Sequence, residues 1–420
     1  MNDHFLLVHE RKTHTCPWRM LEFEHPPRTR DVSEVIRKVK ITAVDVILTA
    51  AEWRNFVLVK IQTDSGIVGW GEATLGWKET AVRELVLDYG QRYLIGANPF
   101  DIEDVWFKLY QIEHNTGPVM YSAMAGIEMA SWDIVGKACQ QPVYNLVGGK
   151  VRNRVKAYAN GWYSSASDLK ELADQACGVV NRGYKALKFD PFGPGGREIS
   201  RSDLRHACRT VETVRKAIGD DIDILLEFHG RFSPIMALEA MRAMVPYAPS
   251  WCEEPIPAHN HESMAQVVAG SPLRVATGEH TYSRFGFLDL LERKGAHVIQ
   301  PDITYAGGFL ETKKIAALAE SYYVSVAPHN CDGPFKTIAS IHLAANIPNF
   351  MILETFQDYD VSWRSELTSP MPSLRDGYYD VPTSPGWGIE LIESVAAAHP
   401  YDPKAKLNMF STDWEEKMCR

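Results

Sequence analysis

The sequence predicts an α/β protein in which a (β/α)8-type barrel follows an α+β capping domain that a C-terminal segment completes. Three features of the chain support this prediction. A hairpin pattern and then helical patterns fill the first third, eight short apolar runs alternate with helical segments after about residue 154, and polar residues end most of these runs at regular intervals. Strands that alternate with helices form parallel sheets, and eight such units close a barrel.

The composition is that of an ordinary folded protein and argues against several classes of partner. Of 420 residues, 45% are hydrophobic and 23% are charged, and the formal net charge is -9. With no basic stripe, this balance argues against a nucleic acid or an anionic membrane as partner. We expect a small-molecule substrate, received by a local cation if it is anionic, and a homo-oligomer.

The cysteines and the apolar runs indicate a cytoplasmic protein. Seven cysteines include no Cys-x-x-Cys pair, so neither a disulfide framework nor a zinc knuckle is indicated. No apolar run is long enough to span a bilayer, and charged residues flank the short apolar stretch at the N-terminus. We therefore expect a reducing compartment, no signal peptide and no membrane segment.

The capping domain is predicted over residues 38–153, after a polar extension at residues 1–37. Residues 55–73 have the alternating pattern of two strands around the turn Thr63-Asp64-Ser65-Gly66. Residues 79–139 change to a helical period. A hairpin followed by helices makes a compact α+β unit.

The barrel is predicted over residues 154–356, with residues 357–420 returning to pack on the capping domain. Its eight strand candidates are VKAYANG (155–161), YKALKFD (184–190), IDILLEFH (222–229), SWCEEP (250–255), LRVATGE (273–279), HVIQPD (297–302), YVSVAPH (323–329) and FMILET (350–355). A doubly wound open sheet is the alternative, but it gives no reason for the regular spacing of the polar residues.

Three glutamates recur at the ends of neighbouring strands. Glu227, Glu253 and Glu279 follow one another at intervals of 26 residues. The carboxyl ends of barrel strands meet at one mouth, so these side chains should converge. Converging carboxylates repel each other unless a cation lies between them, and an all-oxygen set suits Mg²⁺ better than zinc. The spacing therefore predicts a Mg²⁺ site, with Glu254 on the opposite side of its strand holding a neighbour in place.

Two histidines follow the same pattern. Asp302 and His329 end consecutive strands, so the aspartate is expected to hold the imidazole and make its other nitrogen a better base. His229 stands two residues after Glu227 and on the same face if both lie in the strand, although a turn would explain the same composition. Two histidines that flank one substrate can serve as base and acid.

Taken in order, the motifs EFHGR, CEEP, GEH, QPDITYAGG, APHN and ILET resemble the enolase superfamily. The resemblance runs from about residue 38 to the C-terminus. Within the mandelate racemase/muconate lactonizing enzyme family, the chain looks most like the galactonate and mannonate dehydratase branch, which acts on acid sugars. The resemblance implies the barrel fold with its capping domain and Mg²⁺ as cofactor.

The resemblance also implies roles for the site residues. The three spaced glutamates would bind Mg²⁺, His329 with Asp302 would be the general base, and His229 would be the acid that assists loss of hydroxide. Glu354 would lie near the substrate carboxylate. In this superfamily the first metal ligand is commonly Asp, whereas this chain has Glu227.

Further residues are candidates for contact with the substrate. Where related racemases and cycloisomerases carry a K-x-K pair, this chain has KALKFD, so Lys188 fills the first place and Asp190 the second. Either a substrate contact or an ion pair between the two would explain them. Arg231, in EFHGR, and Trp387, in SPGWGIE, complete the candidates, although packing is the favoured reason for a tryptophan in a loop.

These parts predict dehydration of an aldonate such as galactonate, mannonate or gluconate. Removal of the C2 proton through a metal-stabilised enediolate, followed by loss of the C3 hydroxyl, would give a 2-keto-3-deoxy acid. Two alternatives stay open. One is C2 epimerisation or racemisation of a hydroxy acid, with His229 as a second base, and the other is a sugar-acid-binding member with little activity.

Overall fold

The computed structural model describes residues 39–112, 114–193 and 196–405. They form a mixed α/β fold with an N-terminal capping domain and a barrel of parallel strands, as the sequence predicts. The predicted extension, residues 1–37, lies outside the described residues. No helix in the described ranges has both the length and the apolar character needed to cross a bilayer.

An antiparallel sheet begins the capping domain, with strands β1 (Ile41–Ala51), β2 (Arg54–Thr63) and β3 (Val68–Glu72). The predicted hairpin is confirmed, since β2 and β3 pair antiparallel around a turn in which Gly66 has a φ of 80°. A second glycine lets a helix approach β3 closely. A Cβ at Gly71 would lie 2.1 Å from the carbonyl oxygen of Gly126, so no larger residue fits there.

The capping helices are α1 (Glu79–Tyr89), α2 (Ile102–Ile112), α3 (Pro118–Ala138) and the short α4 (Val143–Leu146). Helix α3 has buried residues on every side because it lies between the capping sheet and the barrel helices. This central helix therefore joins the two domains.

Eight parallel strands form the barrel within the described residues. They are β4 (Arg154–Ala159), β5 (Ala186–Phe189), β6 (Asp223–Glu227), β7 (Trp251–Glu253), β8 (Val275–Thr277), β9 (Val298–Ile299), β10 (Ser325–Val326) and β11 (Leu353–Thr355). The helices between and after them are α5 (Leu169–Asn181), α6 (Arg201–Ile218), α7 (Pro234–Met244), α8 (His261–Gly270), α9 (Ser283–Glu292), α10 (Phe309–Ser321) and α11 (Pro334–Asn346). Each strand overlaps one of the predicted apolar runs.

The strands pair in chain order around the barrel. Parallel pairing runs without interruption from β4 to β10, and β11 pairs with β4. Between β10 and β11 the pairing is a single parallel bridge, Val326 with Phe350. Around that bridge, Val326 donates its N–H to Asn349 (2.9 Å) and accepts from the N–H of Met351 (2.8 Å).

The chain after the barrel contacts both the barrel and the capping domain as far as it is described. Its elements are β12 (Thr368–Ser369), β13 (Leu374–Arg375), β14 (Tyr378–Asp380), β15 (Glu390–Leu391) and α12 (Glu393–Ala398). Strand β14 adds to the barrel sheet by antiparallel pairing with β4. Helix α12 lies beside β1, and Pro400 forms a bridge with Thr49 of that strand.

Trp387, one of the predicted substrate contacts, is instead a core residue. Its side chain is fully buried, and its indole N–H donates to the backbone carbonyls of Trp70 (3.1 Å) and Met129 (3.0 Å). Its ring packs edge-on against Phe309 and His342. The prediction that Trp387 binds substrate is therefore wrong, because the indole joins the C-terminal segment to both domains.

Candidate active site

A polar layer lies on an apolar layer inside the barrel. The apolar layer takes one residue in or directly beside each strand: Tyr158, Ala186, Leu225, Trp251, Ala276, Val298, Ala327 and Ile352. Side chains alternate along a strand, so the residue two positions later also points inward, one layer nearer the carboxyl ends of the strands. Those eight positions hold Asn160, Lys188, Glu227, Glu253, Gly278, Gln300, His329 and Glu354.

The three predicted ligands converge in this layer. Glu227 and Glu253 are direct partners in the register of β6 and β7. Glu279 lies in the turn after β8, just past Gly278, which has a φ of 132° that disfavours any other residue. One carboxylate oxygen from each of Glu227, Glu253 and Glu279 lies within 4.8 Å of the other two.

The donor set fits a hard divalent cation. All three groups are carboxylates, and two of them are buried. Burial and the neighbouring charge of Glu227 raise the pKa of Glu253 well above its usual range. Burial also disfavours the charged form of Glu227, but His229 and Lys188 outweigh it and lower the pKa of that carboxyl. A cation between the carboxylates would relieve this repulsion.

Lys188 lies among these carboxylates. Its ammonium group contacts Glu253, Glu354 (2.8 Å) and Glu227 (3.1 Å), and only 2% of its side chain is exposed. It makes no ion pair with Asp190 in the described structure, so an ion pair between the two does not explain their spacing. With these contacts, Lys188 offsets part of the negative charge of the neighbouring carboxylates.

His329 and Asp302 form the predicted pair. Nδ1 of His329 lies 2.7 Å from Oδ2 of Asp302, and its Nε2 lies 3.5 Å from Glu279. Burial opposes protonation of the ring, but the thiol of Cys331 and the carboxylates of Glu279 and Glu354 raise the pKa of His329 well above its usual value. Asp302 also contacts the buried ammonium group of Lys336. Nδ1 is thus occupied, and Nε2 faces the carboxylate cluster.

Glu354 completes this side of the site. Its carboxylate accepts from the side-chain amide of Asn160 and from the backbone N–H of Asn330, each at 2.8 Å. Its Oε2 lies 3.8 Å from Nε2 of His329. Contacts with Lys188 and His329 therefore join Glu354 to both the three converging carboxylates and the imidazole of His329.

His229 lies in a turn, beyond the end of β6 at Glu227. Its φ is 50°, and its backbone N–H donates to Oε1 of Glu227 at 2.7 Å. Its Nδ1 lies 2.7 Å from Oδ2 of Asp190, which Arg231 also contacts. Of the two residues predicted as substrate contacts, Asp190 thus binds His229, and Arg231 binds Asp190. The turn that the sequence analysis left open is the observed conformation.

Glu254 holds its neighbours, as predicted. Its Oε1 accepts from the hydroxyl of Thr277 and from the backbone N–H of Gly278 (2.8 Å). It thereby supports the turn that carries Glu279. His280, in the same turn, lies 3.3 Å from Glu279, and although burial opposes it, that carboxylate raises the pKa of His280 to about 9.

Several residues of the site were not found from the sequence. Asn160 and Gln300 occupy inward positions of the polar layer, and Lys336 on α11 holds Asp302. The two-residue step from each apolar strand residue would have indicated Asn160 and Gln300. Lys336 had no such signal, because it reaches the site from a helix. The side-chain amide of Gln300 is buried and has no protein partner in the described structure.

Comparison with known proteins identifies the two domains. Residues 30–148 match "Mandelate racemase / muconate lactonizing enzyme, N-terminal domain", and residues 171–395 match "Enolase C-terminal domain-like". The second match alone covers more than half of the chain.

Relatives and solved structures match most of the chain. D-gluconate dehydratase of Thermoproteus tenax is 37% identical over 84% of this chain and 72% of its own length. D-xylonate dehydratase of Haloferax volcanii is 34% identical over 87% of this chain and 90% of its own length. The structure of a mandelate racemase/muconate lactonizing enzyme from Sulfitobacter sp has a TM-score of 0.82 at 36% identity, covering 87% of this chain and 96% of that one. The chain therefore belongs to the mandelate racemase/muconate lactonizing enzyme family of the enolase superfamily.

Proposed function

We propose that this enzyme is a Mg²⁺-dependent dehydratase that converts an aldonate into a 2-keto-3-deoxy acid. The observation that carries the proposal is the pair of histidines, each held by an aspartate, beside three converging carboxylates. His229 follows β6 and His329 follows β10, four strands further around a ring of eight. The two imidazoles therefore approach a substrate in the mouth from opposite sides.

The ligand cluster gives the substrate carboxylate a place to bind. Mg²⁺ held by Glu227, Glu253 and Glu279 would stabilise the negative charge that develops on the substrate carboxylate as the C2 proton leaves. Lys188 adds a fixed positive charge beside the same carboxylates.

His329 is the group that accepts the C2 proton. A cation bound by Glu279 would cancel one of the charges that raise the pKa of His329 and so favour the neutral ring. In that ring Asp302 occupies Nδ1, so Nε2 carries the free lone pair. The same hydrogen bond fixes the ring orientation and stabilises the imidazolium that forms. Asp302 is fully buried and keeps its charge because, against the cost of burial, Lys336 and His329 lower the pKa of its carboxyl.

His229 is the group that protonates the leaving C3 hydroxyl. Against the cost of burial, Glu227 and Asp190 raise the pKa of His229, which favours the protonated ring that a general acid requires. Loss of water leaves an enol, which tautomerises to the keto acid. The chemistry thus divides between two histidines with separate aspartate partners.

The substrate class follows from this chemistry and from the relatives. Elimination requires a carboxylate, a hydrogen on C2 and a hydroxyl on C3, which aldonates possess. D-gluconate and D-xylonate are the first compounds to test because relatives at 37% and 34% identity are named for them. Galactonate and mannonate come next, since the sequence motifs resemble that branch.

A screen of aldonates with added Mg²⁺ tests the proposal, with keto-acid formation detected by semicarbazide. We expect one or a few aldonates to be converted and EDTA to abolish the reaction. His329→Asn should lower kcat/KM on the best substrate by about 10³-fold, within the usual range for a general base. Full activity of that variant would contradict the base assignment.

The same pair of histidines would also suit C2 epimerisation, with His229 returning a proton to the opposite face. The screen separates the two reactions, since an epimerase gives a second aldonate and no semicarbazide-reactive product.

A further inference from the structure

The backbone at the end of β6 turns His229 away from its strand. His229 and Gly230 both have positive φ, 50° and 61°, and the His229 N–H is bound by Glu227. A non-glycine residue rarely adopts this conformation unless its surroundings hold it there. The turn directs the imidazole toward the end of β5, where Asp190 lies.

Asp190 fixes the orientation of the imidazole. Its Oδ2 lies 2.7 Å from Nδ1 of His229, while its Oδ1 accepts the backbone N–H of Phe192 at 2.9 Å. An ionised carboxylate can only accept, so Nδ1 carries the hydrogen and Nε2 is the nitrogen left for the substrate. The aspartate is held in turn by its own loop.

Arg231 braces Asp190 from the other side. Only 5% of its side chain is exposed, and its guanidinium group contacts Oδ2 of Asp190. Its remaining nitrogens donate to the backbone carbonyls of Phe228 (3.0 Å) and Gly193. A guanidinium group with these fixed partners acts as a brace and has little freedom to follow a substrate.

The contacts of His229 repeat those of His329 on the opposite side of the barrel mouth. His329 is held by Asp302, which contacts Lys336, and His229 is held by Asp190, which contacts Arg231. Each histidine therefore has a buried or nearly buried unit of carboxylate and cation behind it. Such units fix ring orientation in catalytic and metal sites.

We propose that Asp190 and Arg231 are positioning residues that orient His229 for protonation of the leaving C3 hydroxyl, a step separate from removal of the C2 proton. This inference rests on the proposed dehydratase function. In the step, the C3–O bond breaks, the oxygen takes the proton from Nε2 of His229 and leaves as water, and the electron pair released at C2 forms the C2=C3 bond. Asp190 exchanges no proton with the substrate.

Asp190→Asn tests the proposal by separating the two proton transfers. With the aldonate that the screen identifies, we expect kcat for dehydration to fall by about 10²-fold and KM to change by less than about threefold. Wash-out of deuterium from C2 should continue, because His329 and Asp302 are unaltered. The 3-deoxy-3-fluoro analogue should still lose fluoride at near the wild-type rate, because fluoride leaves without protonation.

Two further variants serve as controls. Asp302→Asn should lose deuterium wash-out, dehydration and fluoride loss together, since it supports the base. Arg231→Lys keeps the charge but not the planar fork, and it should show the Asp190→Asn pattern in weaker form, which covers the case that Asp190→Asn fails to fold.

The outcomes distinguish this inference from the proposed function. If Asp190→Asn dehydrates normally, or loses fluoride elimination and wash-out as severely as dehydration, the inference is wrong and the dehydratase function stands. A wild-type enzyme that eliminates neither water nor fluoride would overturn the proposed function and this inference with it.

Discussion

Lys188 is the residue whose role changed most between sequence and structure. Its ammonium group lies within 3.1 Å of Glu227 and contacts Glu253 and Glu354 as well. A single positive charge thus offsets part of the repulsion among the carboxylates, and it also opposes a second cation nearby. Lys188 should therefore stabilise the metal-free protein and weaken the binding of Mg²⁺.

We predict that Lys188→Met binds Mg²⁺ at least tenfold more tightly and yet is less stable without it. Removing one partner of a buried ionic group costs about 3–5 kcal/mol, and added Mg²⁺ should restore much of that loss. Titration calorimetry and thermal unfolding in EDTA and in Mg²⁺ measure both effects. Lys156→Met, which removes a half-exposed ion pair with Asp223, is the control. Weaker Mg²⁺ binding in Lys188→Met would show that the lysine orients the ligands instead.

His342 should make the stability of the protein depend on pH. Burial lowers the pKa of His342 to about 3, and Nδ1 accepts the N–H of Tyr144 at 3.2 Å. An unfolded histidine titrates near about 6.5. As the pH falls from there toward 3, the unfolded chain gains a proton that the folded chain refuses, so this residue reduces stability by up to about 1.4 kcal/mol per pH unit.

The corresponding prediction compares His342→Asn with the wild type between pH 6.5 and 5. The variant should have a lower free energy of unfolding than the wild type at pH 7.5. As the pH falls, its free energy of unfolding should decrease less steeply than that of the wild type, by about 1 kcal/mol per pH unit. Urea unfolding at each pH gives the free energies of unfolding. His206→Asn, at an exposed position on α6, should keep the wild-type slope. Equal slopes in all three proteins would contradict the buried neutral state.

At the scale of elements, helix α3 of the capping domain caps helix α10 of the barrel. Glu128 accepts the N–H groups of Phe309 and Leu310 at 2.9 Å, the first two residues of α10. Gly308, with a φ of 114°, lies so close that a Cβ there would be 2.6 Å from the Glu128 carboxylate. Trp132 donates its indole N–H to the same side chain at 2.7 Å. The glutamate thus satisfies donors that a buried helix start would otherwise leave unpaired.

We predict that Glu128→Ala lowers the free energy of unfolding by about 2–4 kcal/mol. Loss of a cap costs about 0.5–2 kcal/mol, and buried donors left without partners add about 1–3 kcal/mol. Glu128→Gln keeps one acceptor oxygen and should lose less. Denaturant unfolding measures both, with Glu239→Ala at an exposed position on α7 as the control. A loss no larger than that of the control would mean that water replaces the cap.

The elements were the part of the structure that the sequence predicted best. All eight barrel strands overlap predicted runs because buried parallel strands are continuously apolar. Equal spacing also found Glu227, Glu253 and Glu279, since one βα unit separates neighbouring strand ends. This spacing follows from the length of one βα unit, so it can be read from the sequence without knowing which residues are in contact.

The sequence could not show contacts between residues on different elements. Spacing gave Asp190 and Arg231 as candidates for substrate contact, but it could not show that His229 turns with a positive φ toward Asp190 or that Arg231 contacts Asp190. Trp387 was a candidate for substrate contact, yet its indole donates to backbone carbonyls of the capping domain. Contacts between distant segments leave no period in the sequence.

At the scale of the whole molecule, buried charges join all three parts of the chain beside the active site. Arg54 of the capping domain contacts Asp360 of the C-terminal segment at 2.8 Å and Asp332 of the barrel at 3.7 Å. Asp360 also contacts Arg364, and Asp332 also contacts Lys336, the residue that holds Asp302. Each of these side chains is at most 3% exposed. The capping domain is therefore connected to the pair Asp302–His329 through charges that water does not screen.

Replacing Arg54 tests whether these buried ion pairs stabilise the protein more than an exposed ion pair does. We predict that Arg54→Met lowers the free energy of unfolding by about 3–5 kcal/mol, because Asp360 loses one of its two arginines and Asp332 loses one of its two cations. Lys60→Met is the matched control. The ion pair of Lys60 with Glu393 also joins the capping domain to the C-terminal segment, at 2.6 Å, but Glu393 is 51% exposed, so a loss below about 1 kcal/mol is expected.

Activity provides a second measurement. Because Asp332 holds Lys336, Arg54→Met should lower kcat while the Lys60 variant does not. Similar losses of stability in both variants would show that the buried ion pairs contribute no more than an exposed pair. The C-terminal segment would then be held to the capping domain by its apolar contacts alone.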